Sequence, residues 1–149
     1  MSCYGPLRKQ GVPHIEAWSL VEYAAVARMP PTTLVVRDPV PLFTHVHTRM
    51  LNVKALLAVR PPSPCSPPGG VALLLPNAST AAALRVSSRA WTEHFDGRTF
   101  ALPFEYDADV AHAECDPALW AREAGRVAVL RYVSPHPPWW RAVFLYELV

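Results

Sequence analysis

No apolar run in this sequence is long enough to cross a bilayer. A spanning helix needs about 20 such residues, and the longest stretch here, Val71 to Pro76, is the length of a strand. The opening residues, MSCYGPLRKQG, lack the apolar centre of a signal peptide, so no leader is expected, and Asn77-Ala78-Ser79 reads as a turn. Cysteine is scarce. Cys3, Cys65 and Cys115 stand far apart and odd in number, which argues against a disulfide framework and for reduced thiols in a cytosolic setting. Charge is scarce as well: Asp, Glu, Lys and Arg make up 17% of the chain, and the net charge is +2. Seven of the 14 basic residues fall in the first sixty positions against three acids, a bias that permits an acidic partner without naming one. There is no polybasic arm of the kind that marks a dedicated nucleic-acid domain. With 51% hydrophobic residues in 149, the chain has enough apolar surface for a single core, and disorder does not dominate it. No internal repeat is visible.

Proline is what the sequence has in abundance, with 17 residues. They cluster at Pro30-Pro31, Pro39 and Pro41, Pro61 to Pro68, and Pro135 to Pro138. Each interior proline removes a donor and clashes with the preceding turn, so long helices are excluded. Between the clusters lie short runs rich in Val, Leu, Phe, Trp and Tyr, a rhythm that argues for an all-β sandwich or barrel.

Strands are expected at Thr32 to Val36, Val53 to Arg60, Gly70 to Leu75, Leu84 to Ser88, Arg98 to Phe104 after the Asp96-Gly97 turn, Arg126 to Val133 and Trp140 to Val149. In the last, Trp140, Ala142, Phe144, Tyr146 and Leu148 share a core-type face. Helical patterns are shorter: His14 to Arg28, with a strand reading open, Pro39 to Thr48 with Asp38 as N-cap, and a segment begun by Asp116-Pro117 and ended near Gly125.

The proline-rich connector is the most particular feature. A strand runs into Arg60-Pro61-Pro62-Ser63-Pro64-Cys65-Ser66-Pro67-Pro68-Gly69-Gly70, then a second strand reads Val71-Ala72-Leu73-Leu74-Leu75-Pro76-Asn77-Ala78-Ser79. Upstream come Leu34-Val35-Val36-Arg37-Asp38, Leu42-Phe43-Thr44-His45-Val46-His47 and an aliphatic run from Leu51 to Pro61. In order and spacing from about residue 32 to 149, this resembles the coat proteins of small icosahedral RNA viruses, and the tymovirus coat proteins in particular. The resemblance implies an all-β, eight-stranded jelly-roll sandwich with one to three short helices in its connections. It implies a shell domain over 32–149 preceded by an N-terminal segment, 1–31, that matches the family poorly. It further implies self-assembly into a closed shell around genomic RNA, in the virion and in the host cytoplasm during assembly. Tymovirus-like coats also lack a basic arm, so its absence here agrees with that branch. Arg8, Lys9, Arg28 and Arg37 would then face RNA, while Trp139, Trp140, Pro64, Cys65, Asp107 and Asp109 would lie at subunit contacts.

Residues that could carry chemistry are few. His112-Ala113-Glu114 matches the H-x-E of zinc deaminases, yet the P-C-x-x-C that must follow is missing and Pro64-Cys65 lies upstream. His45 and His47 would pair at a metal only on a strand; on a helix positions i and i+2 diverge. Glu105, Asp107 and Asp109 alternate, so on a strand their carboxylates share a face: a solvated row, a calcium site, or a pH-sensitive subunit contact. Neither G-x-S-x-G nor a phosphate loop is present, and Cys65 has no helix N-terminus to activate it. No catalytic residue, metal, cofactor or membrane partner is therefore expected. The alternative to a coat protein is a β-sandwich binding module that engages a host protein through Trp139 and Trp140, where aromatics concentrate binding energy. A small zinc hydrolase using His112 and Glu114 comes last.

Overall fold

The computed structural model describes residues 15–66, 70–86, 94–95 and 97–132. The expected strands at Trp140 to Val149 and the residues Arg8, Lys9, Trp139 and Trp140 lie outside them. The fold is not an all-β jelly roll. Two small sheets and a set of short helices share the described chain, and the helices form two of its layers.

The central sheet takes β1 (Val26–Arg28), β3 (Leu57–Val59), β4 (Ala72–Leu74) and β5 (Thr99–Ala101), in the order β1-β4-β3-β5. Strand β4 pairs antiparallel with both neighbours, Leu74 standing opposite Val26 on one side and Leu57 on the other. Strands β3 and β5 run parallel. All three residues of β4 are buried, because both faces of the sheet are covered. Leu73 packs with Leu42, Val46, Met50 and Ala58 on one face. Ala72 and Leu74 pack with Trp18, Ala81, Leu84 and Phe95 on the other. The continuous apolar run at 71–75 is thus the mark of a strand buried on two sides, which needs no alternation.

The layer on the first face is a π-helical turn (Leu42–Val46) that runs into α2 (His47–Asn52). Its Leu42, Val46 and Met50 recur every four residues and are buried. Asp38 Oδ1 accepts from the Val40 N–H at 2.9 Å just ahead of this layer, but the N-cap of the π-helical turn is Pro41, with no side-chain cap, so Asp38 is not its cap as expected. The layer on the second face holds α1 (Ile15–Trp18) and α3 (Ala78–Val86), with the Trp18 and Phe95 rings stacked 4.8 Å apart. Asn77 starts α3 by accepting from Thr80 N–H at 3.1 Å, so Asn77-Ala78-Ser79 is a helix start, not a free turn. Leu84 to Ser88 was expected as a strand. Residues through Val86 are helical instead, since Ala81 and Leu84 reach the core at helical spacing while Val86 is 87% exposed.

The second sheet holds β2 (Thr33–Val35), β6 (Ala108–Asp109) and β7 (Val129–Arg131), in the order β2-β7-β6. Strand β2 is antiparallel to β7, with Thr33 opposite Arg131, and β6 is parallel to it, with Asp109 opposite Arg131. Two more helices follow β6: α4 (His112–Cys115) and α5 (Pro117–Glu123). Pro117 opens α5 at its first turn, and Asp116 caps it by accepting from Leu119 N–H at 3.0 Å. No described helix is long and apolar enough to cross a membrane.

Candidate functional site

Polar groups converge where the proline-rich connector, β6, α4 and β7 meet. The row Glu105, Asp107, Asp109 does not stay on one face, because Phe104–Tyr106 forms a 3-10 turn before β6. Glu105 leaves toward solvent, 3.6 Å from Arg126. Asp107 and Asp109 turn inward and are almost fully buried, at 1% and 0% exposure. They lie inside the chain rather than at a subunit contact, and the charge that holds them there is Arg131. Its Nε is 3.2 Å from Asp107 Oδ1 and its Nη2 3.6 Å from Asp109 Oδ2. Two buried carboxylates thus share one guanidinium, whose desolvation is offset only because the pairing is geometric and supported by further hydrogen bonds.

Those further bonds come from neighbouring backbone and from the connector. Val71 N–H donates to Asp107 Oδ1 at 3.1 Å, and Ala111 N–H to Asp109 Oδ1 at 3.0 Å. The Ser66 hydroxyl donates to Asp109 Oδ2 at 3.0 Å and accepts from Arg131 Nη2. Gly70 makes room: a Cβ there would collide with the Asp107 carboxylate. Burial pushes the Asp107 carboxyl up to about 6, against the opposing pull of Arg131, the Val71 N–H and Arg60.

Arg60 and His112 form the second half of the cluster. Arg60 Nη1 donates to the Asp107 carbonyl at 2.8 Å, and its guanidinium lies 4.4 Å from the centre of the Phe104 ring. Arg60 Nη2 stands 3.0 Å from His112 Nε2. Arg60 can only donate, so Nε2 is the acceptor and the ring proton sits on Nδ1, which donates to the Asp109 carbonyl at 3.1 Å. This fixes a neutral imidazole, and burial followed by the Arg60 charge pushes its pKa down. The Ser63 hydroxyl, 3.4 Å from the same Nε2, is a second donor to it.

A disulfide closes the cluster. Cys65 and Cys115, expected to be free thiols, are bonded to each other with their Cα atoms 5.5 Å apart. Their separation of 50 positions hid the pairing from spacing alone. By the chain-entropy account, a loop of that length contributes about 4 kcal/mol.

The other expected site residues fall elsewhere. His112 is buried but Glu114 points to solvent, so the H-x-E pair does not converge. His45 is exposed and His47 half-buried, on helical backbone. No group of three or more metal-ligating side chains comes together among the described residues. Arg28, in β1, is half-buried with Nη1 3.5 Å from the Gly70 carbonyl, while Arg37 and Pro64 are exposed. Sequence reasoning missed Arg60, Ser63, Ser66, Gly70 and Arg131. One signal was available: Arg131 is a lone charge in the apolar run Val127 to Val133, and a buried strand charge requires a buried partner.

The chain matches no protein-family model, and no curated protein matches it in sequence.

Proposed function

We propose that this chain works by association rather than by chemistry on a small molecule, and that its first partner is a second copy of itself, met through the open edge of β2. The observation that carries this reading is an edge strand that keeps apolar side chains in water. Leu34, Val35 and Val36 are each 44–47% exposed. Among the described residues, strand β2 is the end strand of its sheet. Tyr132 N–H donates to the Thr32 carbonyl and Val36 N–H to the Ala128 carbonyl, both at 2.9 Å, so even-numbered residues face β7. By the alternation of an antiparallel ladder, Val35 turns its N–H and C=O to the open side. Such an edge is a template for another strand.

The flanking sequence favours an identical strand. Pro31 and Pro39 stand at equal distances from Val35, so an antiparallel pair centred there sets Leu34 against Val36 of the other copy and ends at proline on both sides. Val40 and Phe43, exposed at the start of the next helix, extend the apolar surface beyond the strand. By contrast, the polar groups of the buried cluster are occupied with one another. The jelly-roll shell is withdrawn with the fold it required; self-association is the part of that expectation that β2 supports. A Cys65–Cys115 bridge also fits an oxidising compartment better than a reducing cytoplasm.

Light scattering on the full chain over a wide concentration range tests this, with negative-stain microscopy of the same samples. The expected result is concentration-dependent association, weakened at least tenfold by Val35→Glu with an unchanged circular dichroism spectrum. A wild-type chain that stays monomeric throughout, or a Val35→Glu chain that associates undiminished, would overturn the reading.

A further inference from the structure

We propose that the Cys65–Cys115 disulfide is a reducible clasp: its reduction by a dithiol frees the loop 61–66 from α4 and admits solvent to His112 and Arg131, while the layered core stays folded. Position is the first reason. Cys115 is exposed and Cys65 half-exposed, so an attacking thiolate can reach the bridge without prior unfolding. Neither cysteine belongs to either apolar cluster, so no packing is lost when the bond opens.

The second reason is how little else holds the loop. Pro61, Pro62 and Pro64 have no N–H to offer a ladder. The backbone bonds at Ser63 and Ser66 run between these two residues, closing the loop on itself. Among the described residues, the loop's side-chain hydrogen bonds to the rest of the chain come from two hydroxyls, Ser63 to His112 and Ser66 to Asp109 and Arg131. Those hydroxyls sit over the buried cluster, so freeing the loop uncovers that cluster first.

The exchange is balanced by the dithiol. One of its thiolates attacks Cys115 Sγ, forms a mixed disulfide and expels Cys65 as a thiolate; its second thiol then displaces Cys115. The protein gains two electrons and two protons as two thiols, and the reductant leaves as a disulfide.

The test uses the full chain, oxidised and then reduced with dithiothreitol, read by NMR titration of the His112 imidazole and by amide exchange. In the oxidised state the groups acting on His112 are the Arg60 guanidinium, the Ser63 hydroxyl, the Asp109 carbonyl and carboxylate, the Phe104 ring edge and the Asp116 charge. Reduction is expected to leave the far-ultraviolet spectrum unchanged and to move the imidazole pKa up toward its ordinary value. Amide exchange at Ser63 and Ser66 should quicken at least tenfold. Cys115→Ser should reproduce that state without reductant, and Cys3→Ser should leave the oxidised pattern intact. An unchanged His112 titration after reduction would show that the bridge controls nothing. Global unfolding of both the reduced protein and Cys115→Ser would make the bridge a structural staple, and either result overturns the clasp.

Discussion

The two sheets of this protein are buried by different means. Around β4, burial is apolar on both faces, with Leu73 on one side and Ala72 and Leu74 on the other. Around β7 the two residues that share a face differ in kind: Val129 lies in the apolar core, while Arg131, also buried, is held between two carboxylates. The first arrangement is insensitive to the identity of any one neighbour, because transfer free energy scales with area. The second depends on each partner being present, since removing one leaves an uncompensated charge in low dielectric.

The largest way to break this contrast is Arg131→Met, which keeps the bulk and deletes the charge that Asp107 and Asp109 share. It should cost about 4 kcal/mol in urea unfolding. A loss below about 1 kcal/mol would show that the two carboxylates are held without it. Leu57→Ala, in the apolar layer with Trp18 and Phe95, should cost about 3 kcal/mol. That loss should be the same at pH 5 and pH 7, whereas the Arg131→Met loss should vary between them.

The smallest effect sharpens the comparison by pH. The folded-state pKa of Asp107, about 6, is above its unfolded value. The folded chain therefore binds that proton more readily, and Asp107 adds stability as pH falls through 6, by about 1 kcal/mol between pH 7 and pH 5. The pKa of His112 moves the other way, down, so its neutral form in the folded state costs stability over the acidic side of the same window. The two contributions oppose each other in the wild type. His112→Gln should uncover the Asp107 contribution and make the protein more stable at pH 5 than at pH 7; a profile that still declines toward pH 5 would mean that another carboxyl controls the window.

What could be read from the residues alone was local. Asp116-Pro117 announced α5, and the strand expected at Gly70 to Leu75 contains β4. What failed was the choice of what covers that strand. A run buried on both sides looks the same whether its neighbours are sheets or helices, and proline clusters suggest sandwich loops in either case. Leu84 and Val86 alternated by accident, and the Asn77 cap outweighed the pattern. In the polar cluster Asp107 and Asp109 were visible as a spaced pair. Their partners were not, because Ser66 and Arg131 come from segments distant in sequence: the pairing of β6 with β7 brings Arg131 into reach, and the connector brings Ser66.

The register of β2 with β7 has a consequence for how the chain comes into being. Thr33 waits for Arg131, so one sheet cannot close until nearly all the described chain has left the ribosome. Loop-closure entropy must be met before that distant contact gives anything back, and contacts of this kind fold slowly. The central sheet carries a shorter wait, since β3 and β4 are near neighbours in sequence. During synthesis the Leu34-Val35-Val36 strand therefore waits without β7, a period in which neighbouring nascent copies on one messenger would meet each other's β2 before their own β7 exists.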